Sequence, residues 1–279
     1  MNLPTLSFEF FPPKTAAGHV KLIDTIKRLN HYAPELVTLT CAAANDQDCH
    51  SLETFQSIHA AFPALNRAAH LTFLSATKAE ISAQADHLWA KNIRSIVALR
   101  GDIPEGKALE DFASDAYYRY TNEFIAGLKA QHDFTIYVGT YPEKHPESVD
   151  QSQDLMALKY KAQAGADKAL TQFFFDNEVF YDFCAQAQDY GIDIPICPGI
   201  LPIQNYSKLV SFAKTCQATI PRWIIDGFER HKDCADSQQH FAQDILNKQV
   251  ADLAKNNIAH IHFYTLNNAK MIENCLNTL

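Results

Sequence analysis

At 279 residues the chain has the length of one α/β barrel, which can bury roughly three quarters of its unfolded surface without staples. Its formal net charge of −8, with no basic cluster anywhere, excludes nucleic acid or an anionic membrane as the main partner. Seven cysteines (Cys41, Cys49, Cys184, Cys197, Cys216, Cys234 and Cys275) form no Cys-x-x-Cys pair and read as reduced thiols, not a disulfide framework or metal site.

The opening Met1-Asn2-Leu3-Pro4 lacks the basic and apolar regions of an export signal, and no apolar run approaches a membrane span. A cytoplasmic protein is therefore expected, and a homo-oligomer. The first predicted strand is Leu6–Phe11, followed by Leu36–Cys41, Ala69–Phe73, Ser95–Arg100, Thr135–Thr140, Lys168–Phe174, Ile194–Pro198 and Ala259–Tyr264. Helical patterns at His19–Asn30, Leu52–Ala61, Ala79–Lys91, Ser114–Ala130, Asp150–Ala164 and Glu178–Asp189 alternate with them. The strands are apolar without strict alternation, as in a parallel sheet covered on both faces. The expectation is a single (β/α)8 TIM barrel over residues 1–279. A doubly wound sheet is the alternative, but no Gly-x-Gly-x-x-Gly follows any strand. Between strands seven and eight lies a long helical insertion: a helix at Ser207–Thr215, an irregular piece around Pro221-Arg222-Trp223, and a polar helix at Asp233–Asn256.

Barrel active sites form at the C-terminal face, so the residues at each strand end carry the functional information. Ser7-Phe8-Glu9-Phe10-Phe11-Pro12-Pro13 places one carboxylate in an aromatic strand that two prolines terminate. Burial there is expected to raise the pKa of Glu9, so that it holds a proton near neutral pH. The alternative is a glutamate ion-paired in the core. Thr40, His70 and Thr72 stand at the next strand ends, then Arg100-Gly101-Asp102, where glycine admits a ligand close to the backbone and the guanidinium suits phosphate or carboxylate. Asp102 could accept from a heterocycle or simply pair with Arg100. Tyr141-Pro142-Glu143-Lys144-His145, Gln172 amid phenylalanines, Pro198-Gly199-Ile200-Leu201-Pro202, and His262, Tyr264 and Asn267 complete the ring. His70 and His145 could each be structural, and no ligand spacing supports a metal. As a set these groups suit proton transfer beside a bound conjugated ligand, with the harder chemistry left to a cofactor.

Six motifs occur in one order along the chain: Ser-Phe-Glu-Phe-Phe-Pro-Pro at 7–13, Ala-Leu-Arg-Gly-Asp at 98–102, Tyr-Pro-Glu-x-His-Pro-Glu at 141–147, Thr-Gln-Phe-Phe-Phe-Asp at 171–176, Pro-Gly-Ile-Leu-Pro at 198–202 and Phe-Tyr-Thr-Leu-Asn at 263–267. Together they resemble the methylenetetrahydrofolate reductases of the short bacterial type, a catalytic barrel alone. The resemblance implies FAD charged with hydride by NADH or NADPH, then reduction of 5,10-methylenetetrahydrofolate to 5-methyltetrahydrofolate by ping-pong transfer, a step of one-carbon metabolism and methionine biosynthesis. It implies Glu9 as general acid, Asp102 between pterin and flavin, and Gln172 touching nicotinamide or folate by turns. Thr40, His70, Arg100, Gly101, Asp102, Ala113, Tyr141, His145, Asp154 and Lys161 match flavin-lining positions. Phe212 matches an aromatic packed on folate. Departures from the pattern are Cys41-Ala42-Ala43-Ala44, Ala157 and Tyr160 near the flavin's nucleotide end, and Lys208 and Asn268 on the folate side, where glutamine and arginine are expected. The other readings are a flavin-independent or altered-pterin reductase, and a non-catalytic folate-binding paralogue. Retention of Glu9, Asp102 and Gln172 together speaks against the last.

Overall fold

The computed structural model describes residues 4–40 and 50–279; Cys41, Cys49 and the Cys41-Ala42-Ala43-Ala44 departure lie outside them. Strands β1 (Thr5–Phe10), β2 (Leu36–Leu39), β3 (Arg67–Thr72), β4 (Ser95–Leu99), β5 (Thr135–Thr140) and β6 (Lys168–Thr171) alternate with helices α1 (Ala16–Asn30), α2 (His50–Ala61), α3 (Lys78–Ala90), α4 (Thr121–Gln131) and α5 (Gln151–Gln163). Then come α6 (Asn177–Asp189), β7 (Ile196–Cys197), β8 (Gly199–Ile200), α7 (Tyr206–Cys216), α8 (Arg222–Arg230), α9 (Ala235–Lys255), β9 (His260–Tyr264) and α10 (Lys270–Leu276).

All the strands are parallel, in the order β7-β6-β5-β4-β3-β2-β1-β9-β8. Segments β7 and β8 flank Pro198, which has no N–H to give the ladder; the predicted strand Ile194–Pro198 ends there and leaves Gly199–Ile200 outside it. The first segment pairs with β6 and the second with β9, and the Pro198 carbonyl still accepts from His262 N–H at 3.0 Å. The result is a nearly closed (β/α) barrel of the TIM type.

The period-2 alternation of each strand sorts its residues between two cores. Leu6, Phe8, Phe10, Ile261 and Phe263 join the main cluster under the helices. Inside the barrel, Leu36, Ala68, Val97, Tyr137, Leu170 and Cys197 form a separate apolar cluster. The other faces of β1 and β9 are polar where they are buried: Ser7, His260 and His262. A barrel interior that could be aliphatic throughout instead holds imidazoles at its axis.

Two helices differ from the sequence-based expectation. Residues 221–223, read as irregular, open α8: Pro221 caps it with φ −55°, an angle prepared for a helix entry. The predicted Ser114–Ala130 helix starts only at Thr121, after a 3-10 turn at Leu109–Phe112. Its start is fixed where the Glu123 carboxylate accepts from Arg119 N–H at 3.1 Å. Among the described residues no helix is long and apolar enough to cross a membrane.

Candidate active site

Glu9 ends β1 at the C-terminal mouth of the barrel with its side chain 19% exposed. Its Oε2 lies 3.3 Å from His70 Nε2 on β3 and 3.6 Å from His262 Nε2 on β9. Thr38 Oγ1 on β2 is 3.4 Å from the same His70 nitrogen. The expectation of a raised pKa is corrected here. Loss of water does push the carboxyl upward, but His70 and His262 together outweigh it and hold Glu9 down at about 2. At neutral pH the mouth therefore presents a carboxylate, and any proton it donates must first arrive there.

Of the positions matched to flavin, Tyr141, His145, Asp154 and Lys161 lie together after β5 and on α5, beside Gln172 after β6. The Tyr141 and His145 rings meet edge to face at 4.6 Å, and Gln172 faces the Tyr141 hydroxyl, whose pKa burial raises. His145 N–H donates to Asp154 Oδ2 at 2.8 Å, which orders the loop after β5 against α5. Burial lowers the pKa of His145, with Asp154 and Glu147 opposing it. Lys161 reaches in from α5 and donates to the Gly139 carbonyl at 2.8 Å; desolvation lowers the pKa of its ammonium. Thr40 sits just beyond β2, its N–H on the Phe10 carbonyl at 2.9 Å.

Gly101 follows β4 with φ +89°, and a Cβ there would lie 2.9 Å from Thr72 Cβ, so only glycine fits. Asp102 beside it is exposed, as is Ala113 at the end of the 3-10 turn. Arg100 is not free to meet a ligand: Glu147 grips it bidentately, Nη1–Oε2 at 2.5 Å and Nη2–Oε1 at 2.7 Å. That fork is a feature the sequence reading missed, although Glu147 closes the same motif as His145.

The folate-side positions gather on the other flank. A cavity of about 370 Å³ runs between the end of β1 and α7, lined among others by Phe11, Gln204, Lys208, Phe212 and Leu266. Asn268 reaches its wall, with Nδ2 3.4 Å from Gln204 Oε1. Gln204, absent from the expected site, is itself held by the Thr265 carbonyl at 3.0 Å. Tyr264 stands between the two flanks, its hydroxyl donating to the Thr171 carbonyl at 2.6 Å.

A parallel barrel whose C-terminal mouth joins an ionised carboxylate, two imidazoles, the Gln172 amide and a cleft has the architecture of a barrel enzyme. The family model for methylenetetrahydrofolate reductase matches residues 2–279. The 5,10-methylenetetrahydrofolate reductase of Escherichia coli K12 is 36% identical over 266 residues, covering 95% of this chain and 87% of that protein. A probable methylenetetrahydrofolate reductase (NADPH) of Caenorhabditis elegans is 32% identical over 98% of this chain but 42% of its own. Among solved structures, a Clostridium thermocellum protein described as binding two copies of 5-methyl-5,6,7,8-tetrahydrofolic acid superposes with TM-score 0.63 at 13% identity, over 99% of this chain and 93% of that one. At that identity the likeness speaks for the fold alone. The chain belongs to the methylenetetrahydrofolate reductase family, and methylenetetrahydrofolate reductase activity is the function its sequence carries.

Proposed function

We propose that this barrel reduces 5,10-methylenetetrahydrofolate with hydride taken from NADH or NADPH through FAD, and that the two substrates use one mouth in turn. The observation that carries the proposal is Glu9 at the end of β1, with His70 and His262 against it, two residues before Phe11 in the wall of the cleft.

The donor set after β5, on α5 and after β6 fits a flavin nucleotide. Lys161 spends one N–H on a neutral carbonyl and keeps donor capacity for an anionic oxygen. Tyr141 and His145 supply ring faces, and Gln172 an amide. Lys161 would hold the diphosphate, joined by Arg100 once Glu147 lets go of it, and Thr40, Gly101 and Gln172 would line the ring. When bound, FAD supplies a store for one hydride between nicotinamide and folate. Lys161→Met is therefore expected to weaken FAD retention at least about tenfold and to lower the melting temperature of the FAD-loaded protein through lost ligand linkage. Glu147→Gln should act the opposite way and tighten retention, because it releases Arg100. Fluorescence titration of apoprotein with FAD reads both, and unchanged affinity in Lys161→Met would contradict the assignment.

At the folate, Glu9 would protonate the amine nitrogen that leaves the methylene bridge. The C–N bond breaks, its electron pair goes to nitrogen, and the proton comes from the carboxyl; what remains is an electrophilic iminium for the hydride to meet. Phe212 would cover the folate ring system, with Lys208 and Asn268 toward its tail. The test is a sequence of anaerobic additions to FAD-loaded protein. NAD(P)H should bleach the flavin, and methylenetetrahydrofolate should restore its colour with formation of 5-methyltetrahydrofolate. Restoration without prior bleaching, or turnover by protein stripped of FAD, would favour the flavin-independent reading.

A further inference from the structure

Below Glu9 the barrel axis holds a file of proton-carrying groups. His262 Nε2 faces Glu9 at 3.6 Å, and its Nδ1 is 2.7 Å from Ser7 Oγ. The same hydroxyl is 2.7 Å from His260 Nε2, whose Nδ1 lies 3.4 Å from Glu35 Oε2. Glu35 immediately precedes β2, so the file ends at the N-terminal rim, opposite the mouth, where the Glu35 side chain is 34% exposed. The groups between are sealed: Ser7 and His262 are 0% exposed and His260 5%. Among the described residues His262 Nε2 and His260 Nδ1 have no hydrogen-bond partner, and each faces a carboxylate. Burying polar groups in this number costs stability unless they serve one another or a reaction, and a cluster of Leu36, Ala68, Val97, Tyr137, Leu170 and Cys197 shares the same interior.

We propose that His260, Ser7 and His262 form a proton relay through the barrel axis that recharges Glu9 from solvent at the Glu35 rim while ligands cover the mouth. The proposal rests on Glu9 being the proton donor to folate. A proton from the Glu35 side joins His260 Nδ1. His260 Nε2–H then passes to Ser7, the Ser7 hydroxyl proton to His262 Nδ1, and His262 Nε2–H to Glu9. Each intermediate group gains one proton and loses one, so the net change is one proton moved from rim to mouth. The tautomers and the hydroxyl reverse before the next passage.

Counting hydrogens supports a loaded state. The contacts from Glu9 to His262, Ser7 and His260 and on to Glu35 are filled when each has a hydrogen, but two neutral imidazoles and one hydroxyl supply one fewer than that. One added proton would therefore fill every contact of the file. Burial lowers the pKa of the His260 imidazole despite the Glu35 carboxylate facing it. The charged and titratable neighbours are Glu9, His70 and Tyr264 at the top, and Glu35, Lys168 and Tyr137 at the bottom, where Lys168 and Tyr137 both hydrogen-bond Glu35.

The experiment follows reoxidation of reduced, FAD-loaded enzyme by methylenetetrahydrofolate against pH, divided in each sample by its NAD(P)H–menadione rate to cancel the folded fraction. Ser7→Ala, which removes one buried oxygen, is expected to slow the folate step about tenfold or more and to change its pH profile. Glu35→Gln, remote from the mouth, should slow it several-fold and make the remaining rate rise with the concentration of imidazole buffer. Lys168→Met breaks the same rim ion pair yet leaves the Glu35 carboxyl, and should do neither. If Ser7→Ala fails to fold, the Glu35→Gln and Lys168→Met pair still decides. Wild-type rate, pH profile and buffer independence in Glu35→Gln, with Glu9→Gln still impaired, would overturn the relay and leave the role of Glu9 standing. Unimpaired folate reduction in Glu9→Gln would overturn both.

Discussion

Replacing Glu9 with glutamine is expected to slow reoxidation of the reduced enzyme by methylenetetrahydrofolate by about two to four orders of magnitude, the usual worth of a positioned acid. Flavin reduction by the nicotinamide should fall far less, because hydride transfer to the flavin does not call on this carboxyl. Glutamine keeps the shape of the side chain and can still meet His70 and His262, so a selective loss reports the missing proton and not a collapsed mouth. Stopped-flow measurement of the two half-reactions separates them; equal losses in both would mean that Glu9 serves structure or flavin binding. The same substitution has a stability signature. The Glu9 carboxyl is held at about 2 in the folded chain against an ordinary 4.5, chiefly because the two imidazoles outweigh its desolvation. A depressed carboxyl contributes stability above the unfolded value and loses it as pH falls through the folded one. Glu9→Gln should therefore flatten the acid dependence of stability between about pH 4.5 and pH 2.

Gly199→Ala is expected to be among the most damaging single changes that adds only a methyl group. A Cβ at Gly199 would lie 2.1 Å from the Thr171 carbonyl oxygen and 2.7 Å from Tyr264 Cε2. Neither neighbour can yield cheaply. The Thr171 carbonyl belongs to β6 and already accepts from the Tyr264 hydroxyl, while the Gly199 N–H is tied to Thr171 Oγ1 at 2.8 Å. The added carbon must push apart the seam at which β8 closes the barrel against β9. A cost of about 3 kcal/mol follows from the penalty for overpacking a rigid site, which lowers the melting temperature by roughly 5–10 °C in a chain of this size. Folate reduction should fall as well, since Tyr264 separates the two flanks of the mouth. A melting temperature within about 1 °C of the parent would show that the seam has slack that the geometry does not reveal.

How far the sequence spoke for itself can be judged from particular residues. Strand existence was legible because apolar β-branched and aromatic runs alternate with amphipathic stretches, and Pro12-Pro13 marked the end of β1 without ambiguity. The split at Pro198 was hidden because a proline can end a strand or merely interrupt it, and only pairing to β6 and β9 tells which. Residues 221–223 looked irregular for a related reason: Pro221 forbids a helix interior but favours a helix entry. The position of Glu9 was legible, but the direction of its pKa was not. That direction depends on His70 and His262, which lie 61 and 253 residues away along the chain and reach Glu9 only when the barrel closes. The Arg100–Glu147 fork was hidden for the same reason, and it withdraws a cation that looked free. The axial file did leave a trace: Ser7-x-Glu9 and His260-x-His262-x-Tyr264 place polar groups on one face of two strands that should otherwise be buried. Period-2 polarity inside a parallel barrel is the signal that was available.

Initial rates measured over a grid of NAD(P)H and methylenetetrahydrofolate concentrations test most directly the claim that one mouth serves both substrates in turn beside Glu9. Parallel double-reciprocal lines, with each substrate inhibiting competitively against the other at high concentration, are the expected result. Lines that intersect would require nicotinamide and folate to be bound together, and would contradict the shared site.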